Sequence, residues 1–450
     1  MPDRLPRQLG VVSTAGVLVG ITIGSGIFRV PSTVAADLGS VGGIAAVWLA
    51  GALITLAGAL TMVGLTTALP FAGGSYVFIR EAYGPLVAFL YGWIKLIVTG
   101  PAALAAVALI FAEYGRAFIT LSDPQVHLLA AVLLAALTAA NIRSVKWSAG
   151  LQNVSTITKV IALAALSLVI LHWGDRANGA LSAPVGPGTI SFRGFWPALI
   201  VVLWTYTGWV DLTFIAGEVR DPTRTFPRAV ASGMAVILMV YLLANAAYLY
   251  VLSVPEMARS PLVAATAAER AIGPHGAALV AALVMISTFS SLNGSILTSP
   301  RVFFAMAEDR LFFRSVATVH PKYRTPFVAL LLYMVLGLIG VTTRSFEQLA
   351  EMYVLGIWPF YALAVGAVFL VPRRRPDLAS LCRAWGYPVL PAAFILVSIA
   401  MVAGGAVTRP LETGVGVAII LLGVPVYYAW RALGKRRAAA ERAASHSVTR

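Results

Sequence analysis

Residues 16–31 read GVLVGITIGSGIFRVP, and the fold turns on them. The run is apolar enough to lie in lipid, yet it gathers Gly20, Gly24 and Gly26 around Ser25 and continues into Pro31. Glycine is unfavourable inside a helix. A backbone that leaves the helix at membrane depth survives only where protein or a water-filled cavity satisfies its N–H and C=O groups. A second run, 195–219, reads FWPALIVVLWTYTGWVDLTFIAGEV and carries Thr205, Thr207 and Gly208 at its centre. Both runs read as helices interrupted halfway. An interrupted helix offers N–H groups and a positive dipole end on one half, and carbonyls on the other. The first suits a carboxylate and the second an ammonium. Glycines at this spacing also let helices pack closely; their clustering in the first run, matched by a polar centre in the second, favours two breaks.

The rest of the chain fits a lipid solvent. Of 450 residues, 59% are apolar and 11% charged, where a soluble domain carries about 25% charged. Mean hydropathy is +0.86. This excludes a soluble enzyme or a nucleic-acid-binding domain. The net charge of +15 is spread over loops. One cysteine, Cys382, rules out an internal disulfide framework. The first apolar run leads into further spans and reads as a retained helix rather than a cleaved leader. No phosphate loop, hydrolase elbow or metal-ligand spacing is evident, and the five histidines (His127, His172, His275, His320, His446) fall near span ends, in loops or in the tail. No cofactor is expected, and no enzymatic activity.

About twelve apolar stretches are long enough to cross a bilayer. They fall at 11–38, 42–68, 85–115, 126–142, 150–172, 194–218, 227–252, 275–306, 326–342, 347–371, 387–407 and 411–431. Span 1 breaks near Gly24 and span 6 near Thr207–Gly208; residues 71–84 read as a short amphipathic or re-entrant piece. About 23 lysines and arginines fall in alternate loops and both termini, among them Arg4, Arg7, Arg143, Lys146, Arg220, Arg310, Arg373, Arg383, Lys435 and Arg436; about 7 fall opposite, at Arg116, Arg176, Arg193, Arg259, Arg270, Arg344 and Arg409. That asymmetry predicts a multi-pass protein of the plasma or inner membrane with both termini in the cytoplasm. The breaks lie five helices apart, which suits two inverted five-helix repeats. The expected organisation is a tail over 1–9, a first repeat over 10–173, a second over 194–371, two further helices over 386–431 and a basic tail over 432–450.

Ionisable residues inside spans are candidates for function. Lys159 lies near the middle of span 5; it either pairs, loses its proton, replaces a cation or snorkels to an interface. Asp211 lies just beyond the span-6 break, and either faces a wet cavity or takes part in coupling. Arg29, shortly after the span-1 break, either gates or snorkels, and Lys95 in span 3 is open between the same readings. In span 8, Ser287, Thr288, Ser290, Ser291, Asn293 and Ser295 form a polar run that either packs helices or lines a pocket.

Six segments, in order, now resemble a known group: IGSGIFRVPSTVAADLGSVGG (23–43), LPFAGGSYVFIREAYGPLVAFLYGW (69–93), IRSVKWSAGLQNVSTITKV (142–160), WTYTGW (204–209), EVRDPTRTFPRA (218–229) and STFSSLNGSILTSPRVFFAMAEDRLFF (287–313). The chain resembles the amino acid–polyamine–organocation superfamily, within it the L-type amino acid transporter group, over about residues 10–430. The resemblance implies an all-α membrane fold of about twelve helices, a five-plus-five inverted repeat with broken helices 1 and 6. It implies that the N–H groups of Ser25, Gly26 and Ile27 bind a substrate carboxylate, and that the carbonyls of Thr22, Trp204 and Thr207 bind its amino group. Trp204 takes the place of an aromatic gate. Asn293 and Trp358 would lie near the side-chain pocket. Lys159 would stand where sodium-coupled relatives hold a cation.

The chain departs from the family pattern in span 6, where Thr205, Thr207 and Val210 replace an alanine, a glycine and an asparagine; Thr207 narrows the expected pocket. Arg29 replaces an apolar residue. The external cysteine that bonds a heavy subunit in animal members is missing from 116–125, so no disulfide-linked partner is expected. The resemblance implies alternating-access transport of small or medium neutral L-amino acids, by exchange. The rivals are proton-coupled symport with Lys159 or Asp211 titrating, transport of cationic amino acids or polyamines, and a membrane sensor that keeps the fold without transporting.

Overall fold

The computed structural model describes residues 5–175, 179–182, 192–260, 262–343, 346–382, 386–408 and 410–448. Arg4 and Arg383 of the basic side, and Arg176, Arg344 and Arg409 of the opposite side, lie outside them. The described residues form helices and no named strand; one isolated parallel bridge joins Leu9 to Val219.

The first span is two helices, α1 (Val11–Thr22) and α2 (Gly26–Leu38), bent by 44° at the GSG break. Span 2 is α3 (Val41–Ala68), started by the Ser40 hydroxyl accepting from the Gly43 N–H at 3.2 Å. The semi-polar piece that follows is α4 (Ser75–Tyr83), buried on most of its surface. Span 3 is not one regular helix. It runs α5 (Pro85–Ile94), then a π-helical turn over Lys95–Thr99, then α6 (Gly100–Gly115). Spans 4 and 5 are α7 (Asp123–Arg143) and α8 (Val145–Trp173).

Span 6 begins as α9 (Phe192–Thr205), turns through residues 206–210, and continues as a 3₁₀ helix over Asp211–Glu218 where the sequence pattern suggested a second α half. Span 7 is α10 (Pro222–Val251). Two short helices, α11 (Val254–Arg259) and α12 (Val263–Ile272), fill the following loop. The capping box that starts α11, Ser253 with Glu256, is visible in the sequence. Span 8 is α13 (His275–Thr298) continued by α14 (Pro300–Glu308). Spans 9 to 12 are α15 (Phe327–Thr343), α16 (Phe346–Arg374), α18 (Val389–Thr408) and α19 (Pro410–Val448), with the short α17 (Ala379–Cys382) between the tenth and eleventh. The tail over 432–448 continues α19, as its run of Ala, Arg, Lys and Glu favours.

Eight helices are long and apolar enough to span a bilayer; the bent pair adds a ninth, and three shorter apolar helices complete twelve among the described residues. The side-chain distribution reads the same way. On α8 the exposed face carries Val154, Ile157, Ile161 and Leu168, with Val154 65% exposed. Its buried face carries Ser148, Gln152, Ser155, Thr156 and Lys159. Apolar residues outside and polar ones inside are what lipid imposes. The chain is an all-α multi-pass membrane protein.

At the centre, α1 packs against α8, α10 and α13, while α2 packs against α9 and α11. This brings the breaks of spans 1 and 6 together. Gly208, at φ 132°, lies so near span 1 that a Cβ there would meet Thr22 Oγ1 at 2.7 Å and Thr22 N at 2.9 Å.

Candidate functional site

A cavity opens where the two breaks meet. Span 1 contributes Thr22, Gly24, Ser25 and Gly26, and span 6 contributes Trp204, Thr205, Thr207, Gly208 and Asp211. Lys95 and Thr99 of the π turn, Ser291, Ser295 and Ser299 of span 8, Tyr333 of α15 and Tyr353 of α16 complete most of the wall. Its volume, as space open to water centres, is about 80 Å³. One water needs roughly 10–15 Å³ of such space, so the cavity suits a solute of a few heavy atoms.

The end of the break that offers N–H groups is the start of α2. The first N–H groups of a helix have no partner within it, and α2 begins at Gly26 immediately after the break. Gly26 is confined: a Cβ there would lie 2.8 Å from both Thr205 Cγ2 and Thr205 Oγ1. Ile27 is fully buried and is not part of the cavity wall.

The carbonyl end is held by Lys159 and by hydroxyls. Lys159 Nζ donates to the carbonyls of Ile23 at 2.5 Å, Gly20 at 2.6 Å and Ser287 at 3.4 Å. Three acceptors match the three protons of an ammonium. Ser287 Oγ donates to Ile23 O at 2.8 Å, and Ser291 Oγ to Gly20 O at 3.0 Å. The span-8 polar run therefore holds the unwound segment as well as lining the cavity. The Tyr241 hydroxyl lies 2.8 Å from both Thr22 O and Thr205 O, bridging the two breaks. Sequence reasoning missed Tyr241: a tyrosine in an apolar helix carries no signal of what lies across from it. The carbonyl of Trp204 accepts the Thr207 N–H at 3.0 Å, closing the span-6 turn.

Trp204 faces the cavity and meets Tyr353 edge to face, ring centroids 5.0 Å apart. Tyr353, not Trp358, is the span-10 aromatic at the opening. Trp358 stacks on Phe394 of α18 at 5.9 Å and is buried away from it. Asn293 is also placed elsewhere. It is fully buried and donates to Gln152 Oε1 at 2.8 Å and Ser148 O at 3.2 Å, while accepting from Asn141 Nδ2 at 3.0 Å. Two neighbouring helices, α7 and α8, hold its amide.

The two remaining charges are one unit. Lys95 Nζ lies 3.4 Å from Asp211 Oδ1, both side chains buried, and 4.5 Å from the centre of the Phe214 ring. Arg29 is half-buried within electrostatic range of Tyr114 on α6. At the far end of span 6, Glu218 is fully buried against Arg301 of α14, with contacts of 2.7 and 3.2 Å. The Glu218 carbonyl accepts from the N–H groups of Gln8 and Leu9, which pins the N-terminal segment to this end.

Comparison with known proteins agrees with this geometry. Residues 9–426 match the family model described as amino acid permease. The chain is similar to the serine/threonine exchanger SteT of Bacillus subtilis, 31% identical over 97% of this chain and 99% of that one. It is similar to the large neutral amino acids transporter small subunit 2 of Oryctolagus cuniculus, 32% identical over 94% of this chain and 80% of that one. It is also similar to the human cystine/glutamate transporter, 30% identical over 94% and 85%.

Proposed function

The chain belongs to the amino acid permease family, and from that premise we propose that it exchanges small or medium neutral L-amino acids across the membrane by alternating access. It is a secondary amino acid transporter and not an enzyme. The observation that carries exchange is Lys159: the carbonyls of Gly20 and Ile23 in span 1 and of Ser287 in span 8 hold its amine beside the span-1 break. An ammonium held there would need no co-transported cation. The exchange named for the Bacillus subtilis relative, and the small polar cavity, support the same reading.

The substrate carboxylate would sit on the N–H groups of Ser25, Gly26 and Ile27. Its ammonium would approach the carbonyls of Thr22, Trp204 and Thr207, with Trp204 closing over it. Matching breaks in spans 1 and 6 support inverted repeats over 10–173 and 194–371, with the helices over 386–431 added. Basic loops on one side support cytoplasmic termini. Cys382 is buried, and burial pushes its thiol up to about 11, which favours a chain working without a disulfide-linked subunit.

Uptake of labelled amino acids into proteoliposomes tests the reading. Exchange requires unlabelled amino acid inside and gives no accumulation in empty vesicles. Accumulation in empty vesicles under an imposed pH gradient establishes proton symport instead. Failure to take up any neutral amino acid overturns the substrate assignment.

A further inference from the structure

We propose that the Lys95–Asp211 pair is the subsite that receives the substrate side chain, and that it selects small side chains bearing a hydroxyl or carboxamide. The inference rests on amino acids being carried in the central cavity, and adds what the cavity reads.

Both residues line the cavity, and each is delivered there by an irregularity in its span. Lys95 opens the π-helical turn of span 3, which closes with the Gly100 N–H on the Lys95 carbonyl. Such single π turns are frequent at functional sites. Asp211 opens the 3₁₀ segment directly beyond the span-6 break.

The pair is under-satisfied. An ammonium has three protons, and a carboxylate accepts about four hydrogen bonds. Among the described residues, the 3.4 Å contact between them is the only hydrogen bond that either charged group makes. Two charges withdrawn from water need further partners to offset desolvation. In the same wall Thr22 Oγ1 and Thr99 Oγ1 are buried with no hydrogen-bond partner among the described residues.

One neutral polar group meets both needs. A substrate hydroxyl donates to Asp211 and accepts from Lys95, and a carboxamide does the same with two atoms. An aliphatic side chain leaves both valences open. A charged side chain meets a like charge on one member of the pair. The limited volume excludes large side chains in either class.

The test is counterflow of labelled serine, alanine, valine, aspartate and 2,3-diaminopropionate in proteoliposomes holding the full chain, as wild type, Lys95→Gln, Asp211→Asn and the double variant. Wild type should prefer serine to alanine by about ten- to a hundredfold, the range for a hydrogen bond to a charged group. Asp211→Asn, with a lone ammonium, should gain aspartate. Lys95→Gln, with a lone carboxylate, should gain diaminopropionate. The double variant should gain neither and bring serine and alanine within a few fold. If a single variant fails to fold because its charge is unpaired, the double variant, which buries no charge, carries the test through its serine-to-alanine ratio. An unchanged ratio in the double variant overturns the proposal, as does a wild type that does not distinguish serine from alanine. If wild type takes up no neutral amino acid at all, the transport reading itself fails and takes this inference with it.

Discussion

Lys159 Nζ lies 2.5 Å from the carbonyl oxygen of Ile23, joining the middle of span 5 to the unwound part of span 1. The same ammonium holds Gly20 O. Both carbonyls have lost helical partners to the break, so the lysine makes the break tolerable in a membrane. Lys159→Ala leaves those carbonyls to weaker donors and opens a void beside them. Each hydrogen bond to a charged group contributes about 1.5–3 kcal/mol, so exchange should fall at least tenfold. Lys159→Arg should not restore it, because a planar fork cannot converge on three carbonyls as an ammonium does. Counterflow of a labelled neutral amino acid checks this, and full activity in Lys159→Ala would remove the lysine from the mechanism.

Gly26 sets how closely spans 1 and 6 approach. Its missing Cβ is the space occupied by the Thr205 side chain. Gly26→Val should abolish substrate binding, since the added carbons push the N–H groups of α2 away from span 6. The expected result is loss of ligand-induced thermal stabilisation in detergent. Retained affinity would refute the role assigned to this backbone.

The long spans were legible in the sequence because each is an apolar run bounded by polar loops. The two breaks were legible because glycine clusters and mid-span threonines have few other reasons to be there. The 3₁₀ form of Asp211–Glu218 and the π turn at Lys95 were not, since both are settled by packing against other spans. For the same reason nothing in the sequence pairs Lys95 with Asp211: the contact between them joins spans 3 and 6. Asn293 and Trp358 were expected at the pocket from resemblance, but their side chains answer to neighbours on α7, α8 and α18.

Glu218 and Arg301 form a buried pair between the end of span 6 and α14. Removing one member strands the other, at a cost of about 3–5 kcal/mol. Glu218→Gln should therefore lower the yield of folded protein and its melting temperature. Replacing both residues by apolar ones should be milder than either single change. A thermal melt of the purified single and double variants distinguishes this from a pair that contributes nothing.

Glu256 caps α11 through the Ser253 N–H and hydroxyl, both at 2.8 Å, and meets Arg270 at 2.8 Å. These contacts, the Arg270 bond first, hold its carboxyl at about 2 against an ordinary 4.5. A depressed carboxyl stabilises the fold above its unfolded value and loses that contribution as pH falls through the folded one. The Glu256→Gln variant should be slightly less stable than wild type at pH 7 and equally so at pH 5. Below pH 4.5 the gap should shrink as wild type loses its advantage. Melting curves at pH 7, 5 and 3 check it; a gap that widens on acidification contradicts the assignment.

Tyr241 ties the two breaks to each other and to α10. Its hydroxyl is equidistant from Thr22 O and Thr205 O, yet it has one proton, so it serves one carbonyl at a time. Thr22 O also accepts the Gly24 N–H at 2.9 Å. On the proposed reading, a substrate ammonium arriving at Thr22 O would take over that carbonyl while the tyrosine proton turns to Thr205 O, so that no acceptor would be left bare when substrate enters or leaves. Tyr241→Phe removes this exchange of partners but keeps the ring against Trp48 and Tyr206. With a neutral hydrogen bond contributing about 0.5–1.5 kcal/mol, the KM for exchange should rise about two- to tenfold with the protein still folded. A KM unchanged in Tyr241→Phe would mean that the ring alone sets the spacing of the breaks and that the hydroxyl takes no part in receiving the ammonium.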